Sequence, residues 1–224
     1  MPRLAIQPLM AAILLAVAAS GHAASADDAA HDFLPSYTGA QGGDLDVLSA
    51  FVTYNPNNDT FVFSGTFDAD VGTTPDAFYI FGVNRGQGTA GFAPIGATNV
   101  KFDAVVRFNQ NGSGLVNRQL GTGVGVTQLA AGTAQSFGST IIGVISGSLL
   151  PSNGFAKSDY TWNLWPRDGK VGGSAGVSDF APNNSSLGVT VLSAVPEPGT
   201  WALLAGGLAL VGLRARRQRH QAGA

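Results

Sequence analysis

The sequence predicts an all-β protein, an antiparallel β-sandwich of jelly-roll or other Greek-key type, carried between two terminal targeting segments. Between positions 45 and 193, apolar residues alternate mostly with a period of two, as in strands with one buried and one solvent-exposed face. Clusters of Asn, Pro, Asp and Gly separate these runs, and no long segment combines a 3.6-residue period with helix caps. The 31 glycines and the 12% content of charged residues also disfavour a helix-rich cytosolic enzyme. A closed barrel is the alternative.

The predicted strands follow in order from these two signals. Alternation is clearest at 61–67 and 100–108 and less regular at 45–54, where Leu48, Ala50, Val52 and Tyr54 would share one face. Further strands are predicted at 77–83, 115–119, 124–129, 140–146, 159–165 and 188–192. Residues 55–59 should form a hairpin turn, and turns are also expected at 109–112 and 166–169. The sequence therefore predicts about nine or ten short strands.

The charge and cysteine content exclude several functions. Residues 27–194 contain seven basic and thirteen acidic residues, which gives a net charge of −6. All thirteen acidic residues are aspartates. An acidic domain without a basic stripe argues against nucleic-acid binding, because neutralised phosphates supply most of that affinity. The chain has no Cys, so a disulfide framework, a thiolate metal site and a cysteine nucleophile are excluded.

The N-terminus has the pattern of a secretory signal peptide, which we assign to residues 1–24. Arg3 precedes an apolar run at 9–19, and small residues suited to cleavage follow between Ala23 and Asp27. The chain should therefore be exported, with residues 25–194 as its single folded domain.

The C-terminal segment, residues 195–224, has three parts in a fixed order. The tripeptide Pro196, Glu197, Pro198 precedes an uncharged apolar run at 201–213, and four arginines follow: Arg214, Arg216, Arg217 and Arg219. The run should form a short transmembrane helix, and the arginines should stop translocation of the chain by remaining on the cytoplasmic side. Its thirteen residues would span about 20 Å as a helix, less than the roughly 30 Å of a bilayer core. Such an anchor suits a chain that is held only transiently.

This tail resembles the PEP-CTERM sorting signal of exosortase substrates. The resemblance rests on Pro196-Glu197-Pro198, the apolar run that begins at Trp201, the arginine cluster and the N-terminal signal peptide. It implies two partners, the secretion machinery and an exosortase, a membrane Cys protease that processes the tail. It also implies a Gram-negative host that makes exopolysaccharide. The chain would be anchored briefly in the inner membrane and then reach the cell surface or extracellular matrix. Segments 81–86, 160–169 and 178–182 also look like parts of uncharacterised PEP-CTERM proteins. This resemblance does not imply an activity.

Metal and catalytic sites receive little support from residue types. The predicted mature region has one histidine, His31, in a polar stretch, so neither a Ser-His-Asp triad nor a zinc site is favoured. Several aspartates are close in sequence: Asp44 with Asp46, Asp68 with Asp70, and the group Asp27, Asp28 and Asp32. Such oxygen-only groups can bind calcium, whereas the alternative is that they cap turns and strand ends. We predict no catalytic residues, no metal ligands and no cofactor, and calcium stays open.

Three functions remain in order of preference. The first is a non-catalytic surface or exopolysaccharide-matrix protein. The alternative is a glycan-binding module, because Trp162 and Trp165 lie on opposite faces of a predicted strand and could stack on sugar rings instead of filling the core. The third is a secreted glycosidase that uses paired aspartates, which is disfavoured because the only glutamate is Glu197 in the tail.

Overall fold

A computed structural model describes residues 24–121, 124–192 and residue 207. The predicted signal peptide and sorting tail therefore lie outside the described residues, apart from Ala24 and Gly207. Within the described part, no helix has the length and apolar character needed to span a membrane.

The described residues form twelve strands in chain order. These are β1 Ser25–Asp27, β2 Val47–Asn55, β3 Thr60–Phe67, β4 Phe78–Asn84, β5 Ala104–Asn109, β6 Gly114–Asn117, β7 Val126–Leu129, β8 Ala134–Phe137, β9 Thr140–Ser146, β10 Thr161–Arg167, β11 Leu187–Gly188 and β12 Thr190–Val191. Short 3₁₀ segments lie at Gly43–Leu45, Ala93–Ile95, Gly147–Leu149, Lys157–Asp159 and Gly173–Gly176. The predicted hairpin at 55–59 joins β2 to β3, and the predicted turn at 109–112 joins β5 to β6.

The strands form two six-stranded sheets. The first has the order β1–β2–β3–β9–β8, with β12 pairing in parallel with β2, and the second has the order β11–β10–β4–β5–β6–β7. The other pairings between the described strands are antiparallel. The predicted antiparallel all-β architecture is confirmed, and the two separate sheets differ from the single closed sheet of a barrel.

One aromatic core joins the two sheets. The ring of Phe63 on β3 lies 5.1 Å from that of Phe81 on β4 and 6.2 Å from that of Phe108 on β5. Phe81 in turn lies 6.3 Å from Trp162 on β10, and all four side chains are buried. Contacts of this kind between rings add to the free energy gained by removing their area from water. The sheets therefore pack face to face.

A β-bulge changes the expected face of β2. The register against β3 shifts between Val47 and Ser49, so that Val47 is buried and Leu48 is only half-buried. The prediction that Leu48 shares a face with Ala50, Val52 and Tyr54 was therefore wrong. A bulge inserts one extra residue and reverses the alternation on one side of it.

The second sheet is covered on both faces. A smaller cluster on its outer face packs Trp165 of β10 against Phe92, Phe102 and Phe180, at ring distances of 4.9, 4.8 and 6.2 Å. Phe92 and Phe102 belong to the segment between β4 and β5, so residues 100–103, predicted as strand, form part of this cover. The five central residues of β4 and of β10 are buried, without the alternation of a half-exposed strand.

The aromatic packing on the outer face of the second sheet predicts that Gly82→Ala destabilises the protein. A Cβ at Gly82 would lie 2.3 and 2.4 Å from two ring carbons of Trp165, which Phe92 and Phe102 hold in place. Overpacking of this kind costs about 1–3 kcal/mol, which should appear as a lower midpoint of urea unfolding. Gly172→Ala is the control, because its Cβ would meet no atom within 4 Å. Equal midpoints for the two variants would contradict the described packing.

Candidate functional site

Four aspartates from distant parts of the chain meet where the N-terminal segment crosses the sheets. We call Asp28, Asp32, Asp46 and Asp179 the acidic cluster. Oxygens of Asp28, Asp32 and Asp179 all lie within 4.8 Å of one another. Asp46 belongs to an adjoining group with His31 and Asp68, whose ligand atoms also lie within 4.8 Å of one another.

Backbone hydrogen bonds position Asp28 and Asp179. The backbone N–H of Asp28 donates to the carbonyl oxygen of Leu48 at 2.9 Å, which continues the pairing of β1 with β2. The Asp179 carboxylate accepts from the backbone N–H of Val47 at 2.9 Å and from that of Phe180 at 2.7 Å. Asp179 belongs to a segment whose Ala181 is bridged to Leu164 of β10. Asp179 thus connects the second sheet to the start of β2 in the first.

The Asp46 carboxylate is held by a hydrogen bond from His31, which lies 15 residues earlier in the chain. Its Oδ2 accepts a 2.6 Å hydrogen bond from the backbone N–H of His31 and lies 3.5 Å from His31 Nδ1. The imidazole itself is 75% exposed, as expected for a histidine in a polar stretch of the chain. Asn183 approaches from the other end of the chain, and its Nδ2 donates to Asp28 Oδ1 at 2.9 Å and to Asp32 Oδ2 at 3.4 Å.

Three oxygens of the acidic cluster are buried and accept no hydrogen bond within the described structure: Asp28 Oδ2, Asp32 Oδ1 and Asp46 Oδ1. The Asp46 side chain is 0% exposed. No lysine or arginine of the described residues forms an ion pair with any member of the cluster. An unpaired buried carboxylate oxygen is costly unless a proton, a cation or a water molecule satisfies it.

The electrostatic consequence is a set of raised pKa values. Burial, followed by the charge of Asp32, raises the pKa of Asp28 to about 6. Burial, with the charges of Asp28 and Asp32, raises the pKa of Asp179 to about 8 in spite of the two backbone donors. Burial and the charges of Asp32 and Asp68 also raise the pKa of Asp46.

These shifts predict that, in the presence of a chelator, stability falls as the pH rises. Because the pKa values of Asp28 and Asp179 in the folded state, about 6 and 8, exceed the ordinary value of 3.8, the folded protein binds more protons than the unfolded chain between about pH 4 and 8. The free energy of unfolding, measured with urea in EDTA buffers, should therefore decrease from pH 5 to pH 8 and level off above. Asp28→Asn should flatten the part below about pH 6. A rise in stability over the same range would contradict this electrostatic account.

The predicted pairing of Asp44 with Asp46 does not form. Asp44 lies in the 3₁₀ segment Gly43–Leu45, where three residues complete a turn, so positions two apart point to different sides. Its carboxylate accepts from the Thr74 hydroxyl at 2.5 Å, from the Thr74 backbone N–H at 3.0 Å and from the Tyr79 hydroxyl at 3.2 Å. For Asp44, the capping interpretation is the right one. Asp27 and Asp70 are exposed and belong to neither acidic group.

Trp162 and Trp165 do not form an exposed stacking surface. Trp162 is 0% exposed in the core between the sheets, and Trp165 is 2% exposed in the outer cluster. The alternative in which these tryptophans stack on sugar rings does not fit this burial, because the segment between β4 and β5 covers the second face of the strand.

A cleft elsewhere on the second sheet is lined by two arginines. It has a volume of about 750 Å³, and we call it the arginine cleft after Arg107 and Arg167, which line it. Their guanidinium carbons lie 3.8 and 5.9 Å from the ring centre of Phe78. Neither forms an ion pair with a carboxylate of the described residues. Burial lowers the pKa of both, and the charge of Arg167 lowers that of Arg107 further. The cleft suits a ligand with a planar anionic group.

Sequence reasoning missed Asp179, Arg107 and Arg167 as site residues, although weak signals exist. Asp179 is the single charged residue in the otherwise uncharged segment 177–182, and a buried carboxylate is unusual without a partner. Arg107 lies opposite Val106 and Phe108 in the alternation of its strand, which places it on the outer face. Nothing in the local sequence indicates that Arg167 would lie beside Phe78, as Arg107 does.

Comparison with known families identifies the tail. A family model described as the PEP-CTERM protein-sorting motif matches residues 194–218. The chain carries a PEP-CTERM sorting motif at its C-terminus. The match contains Pro196, Glu197 and Pro198, and three of the four predicted stop residues, Arg214, Arg216 and Arg217, whereas Arg219 lies one position beyond it.

The PEP-CTERM motif implies an exported protein that passes transiently through a membrane and is processed by an exosortase. Neither the curated proteins nor the solved structures contain a match to this chain. The resemblance of segments 81–86, 160–169 and 178–182 to other PEP-CTERM proteins therefore stays a prediction.

Proposed function

We propose that this chain is a non-catalytic protein of the cell surface or exopolysaccharide matrix of a Gram-negative bacterium. Residues 1–24 would direct export, the run at 201–213 would hold the chain in the inner membrane, and an exosortase would cut near Pro196–Pro198. The observation that carries the proposal is the sorting motif matched at 194–218.

The position of the folded part supports such processing. All strands of both described sheets lie between Ser25 and Val191, and the last one pairs with β2. A cut near Pro196–Pro198 would therefore leave both sheets complete. The folded product would then depend on its own apolar core for stability outside the cell, since the chain has no cysteine.

The arrangement of acidic groups favours a non-catalytic role over the glycosidase. A glycosidase needs two carboxyl groups that flank the scissile bond in a cleft open to the sugar. Asp76 is the one carboxylate residue among the described residues that line the arginine cleft. In the acidic cluster, Asp46 and Asp179 are buried, and Asp28 and Asp32 each carry one unpaired oxygen that solvent does not reach.

Replacement of Pro196, Glu197 and Pro198 by alanine should prevent processing of the tail. The intact mass of the protein recovered from its host should end near Pro196–Pro198 for the wild type and include the tail for the variant. The wild type should be found in the matrix or medium, and the variant in the inner-membrane fraction. Pro35→Ala, at an exposed proline of the folded part, is the control and should be processed normally. A tail retained in the wild type as well would leave a permanently anchored protein and would remove support for the matrix role.

The second candidate function is glycan binding through the arginine cleft in place of Trp162 and Trp165. Two guanidinium groups beside one aromatic ring, without carboxylate partners, provide charge and a stacking surface for an acidic sugar. Asn109, whose Oδ1 accepts a 2.8 Å hydrogen bond from Arg107 Nε, and Gln110 also line the cleft and can bind hydroxyl groups.

Arg107→Gln should weaken binding to a polyuronate such as alginate at least about tenfold, because a charged hydrogen-bonded contact contributes roughly 1.5–3 kcal/mol. Binding is measured with the full-length chain in a mild detergent and EDTA, with neutral dextran as the second polysaccharide. Lys101→Gln removes the same charge at an exposed position and should keep wild-type affinity. Equal losses in both variants would indicate a net-charge effect and would argue against a site in this cleft.

A further inference from the structure

We propose that the acidic cluster is a calcium site that ties the N-terminal segment to both sheets. The ligands are Asp28 Oδ2, Asp32 Oδ1, Asp46 Oδ1 and a carboxylate oxygen of Asp179. This inference concerns the folded domain alone and goes beyond the proposed surface or matrix role.

The spacing of the oxygens suits one shared ion. Calcium lies 2.3–2.6 Å from each of its oxygen ligands, so two ligands of the same ion are at most about 5 Å apart. The oxygens of Asp28, Asp32 and Asp179 lie within 4.8 Å of one another, and this proximity is unfavourable for bare carboxylates. Hydrogen bonds place Asp46 beside this group: the backbone N–H of His31, next to Asp32 in the chain, donates to Asp46 Oδ2 at 2.6 Å, and that of Val47, next to Asp46, donates to Asp179 Oδ2 at 2.9 Å.

An independent observation points to a ligand. The Asp46 side chain is 0% exposed, and its Oδ1 accepts no hydrogen bond, although Oδ2 is satisfied by the backbone N–H of His31. Asp28 and Asp32 each contribute one more buried oxygen without a donor. A divalent cation would satisfy the three oxygens together, whereas side chains of the described residues supply no cationic partner apart from the exposed His31.

The ligand chemistry selects calcium among common ions. Zinc prefers sulfur and imidazole ligands, and this chain has no Cys. Magnesium requires a compact octahedral shell and keeps several waters, whereas calcium accepts six to eight oxygens, including bidentate carboxylates, in a flexible geometry. An exported protein also meets calcium at concentrations suited to extracellular sites, whose dissociation constants are about 0.1–1 mM.

The position of the ligands indicates what the ion would do. Asp28 and Asp32 follow β1, Asp46 immediately precedes β2 of the first sheet, and Asp179 is bridged to β10 of the second sheet through its segment. One ion would therefore cross-link the N-terminal segment and the ends of both sheets. Its binding free energy would add to the stability of the folded state.

The test uses the full-length chain in a mild detergent, freed of metal with EDTA and then dialysed at pH 7.5. CaCl₂ alone is titrated by calorimetry, and Tm is measured with and without 10 mM CaCl₂. We expect one saturable site with a Kd of about 0.1–1 mM and a rise in Tm of about 3–10 °C. MgCl₂ at the same concentration should raise Tm by less than half as much.

Asp46→Asn should abolish both responses, because the amide removes a charged ligand while its oxygen can still accept the hydrogen bond from His31. Asp159→Asn, at an exposed aspartate outside the cluster, should respond like the wild type. If Asp46→Asn does not fold, Asp32→Asn, at a half-buried position, replaces it and should lose the response.

Three outcomes would overturn the proposal: no saturable calcium binding up to 10 mM, an equal effect of MgCl₂, or a wild-type response in Asp46→Asn or its replacement. Absence of binding, or a wild-type response of the variant, would mean that the cluster does not hold calcium. An equal effect of MgCl₂ would indicate a response to divalent ions without the selectivity of a calcium site. Processing of the tail is measured separately by mass, so failure of the calcium site and failure of the sorting role are distinguishable.

Discussion

The contact between the aromatic side chains of the two sheets is the interaction on which the rest of the structure depends. Phe63 reaches across from β3 to Phe81 and Phe108 of the second sheet. Gly143 of β9 allows this close approach, because a Cβ there would lie 2.2 Å from the ring of Phe108. With Phe108 directed inward, the neighbouring Arg107 is directed to the opposite face and reaches Phe78 in the arginine cleft. The position of the cleft is thus a consequence of the core.

The same packing raises the free-energy cost of charged carboxylates in the acidic cluster. The N-terminal segment follows β1 along the edge of β2, and the segment after β10 folds back against the second sheet. Where they meet, Asp46 and Asp179 are both excluded from solvent. Carboxylates cannot share such a place as free anions, and the raised pKa values of Asp28 and Asp179 express this.

Alternation of apolar and polar residues predicted strands well where one face of the strand is buried and the other is solvent-exposed. The predicted strand at 140–146 coincides with β9, and 61–67 lies within β3. The rule failed at β10, because Trp162 and Trp165 pack into different clusters on opposite faces. It also failed at Leu48, where a bulge shifts the register. The short edge strands β1 and β8 were missed, since three or four residues carry too little periodicity.

What the sequence by itself determined is the sorting tail. Its signal is the linear order of a tripeptide, an apolar run and basic residues, and the family match at 194–218 depends on that order alone. For the folded part, the sequence placed Asp28 and Asp32 together because they are close in the chain. Only the tertiary structure brought Asp46 and Asp179 to them and Arg167 to Arg107. Local signals act between neighbours in the chain, whereas a binding site depends on contacts between residues distant in the chain, such as Asp28 and Asp179, which sheet packing decides.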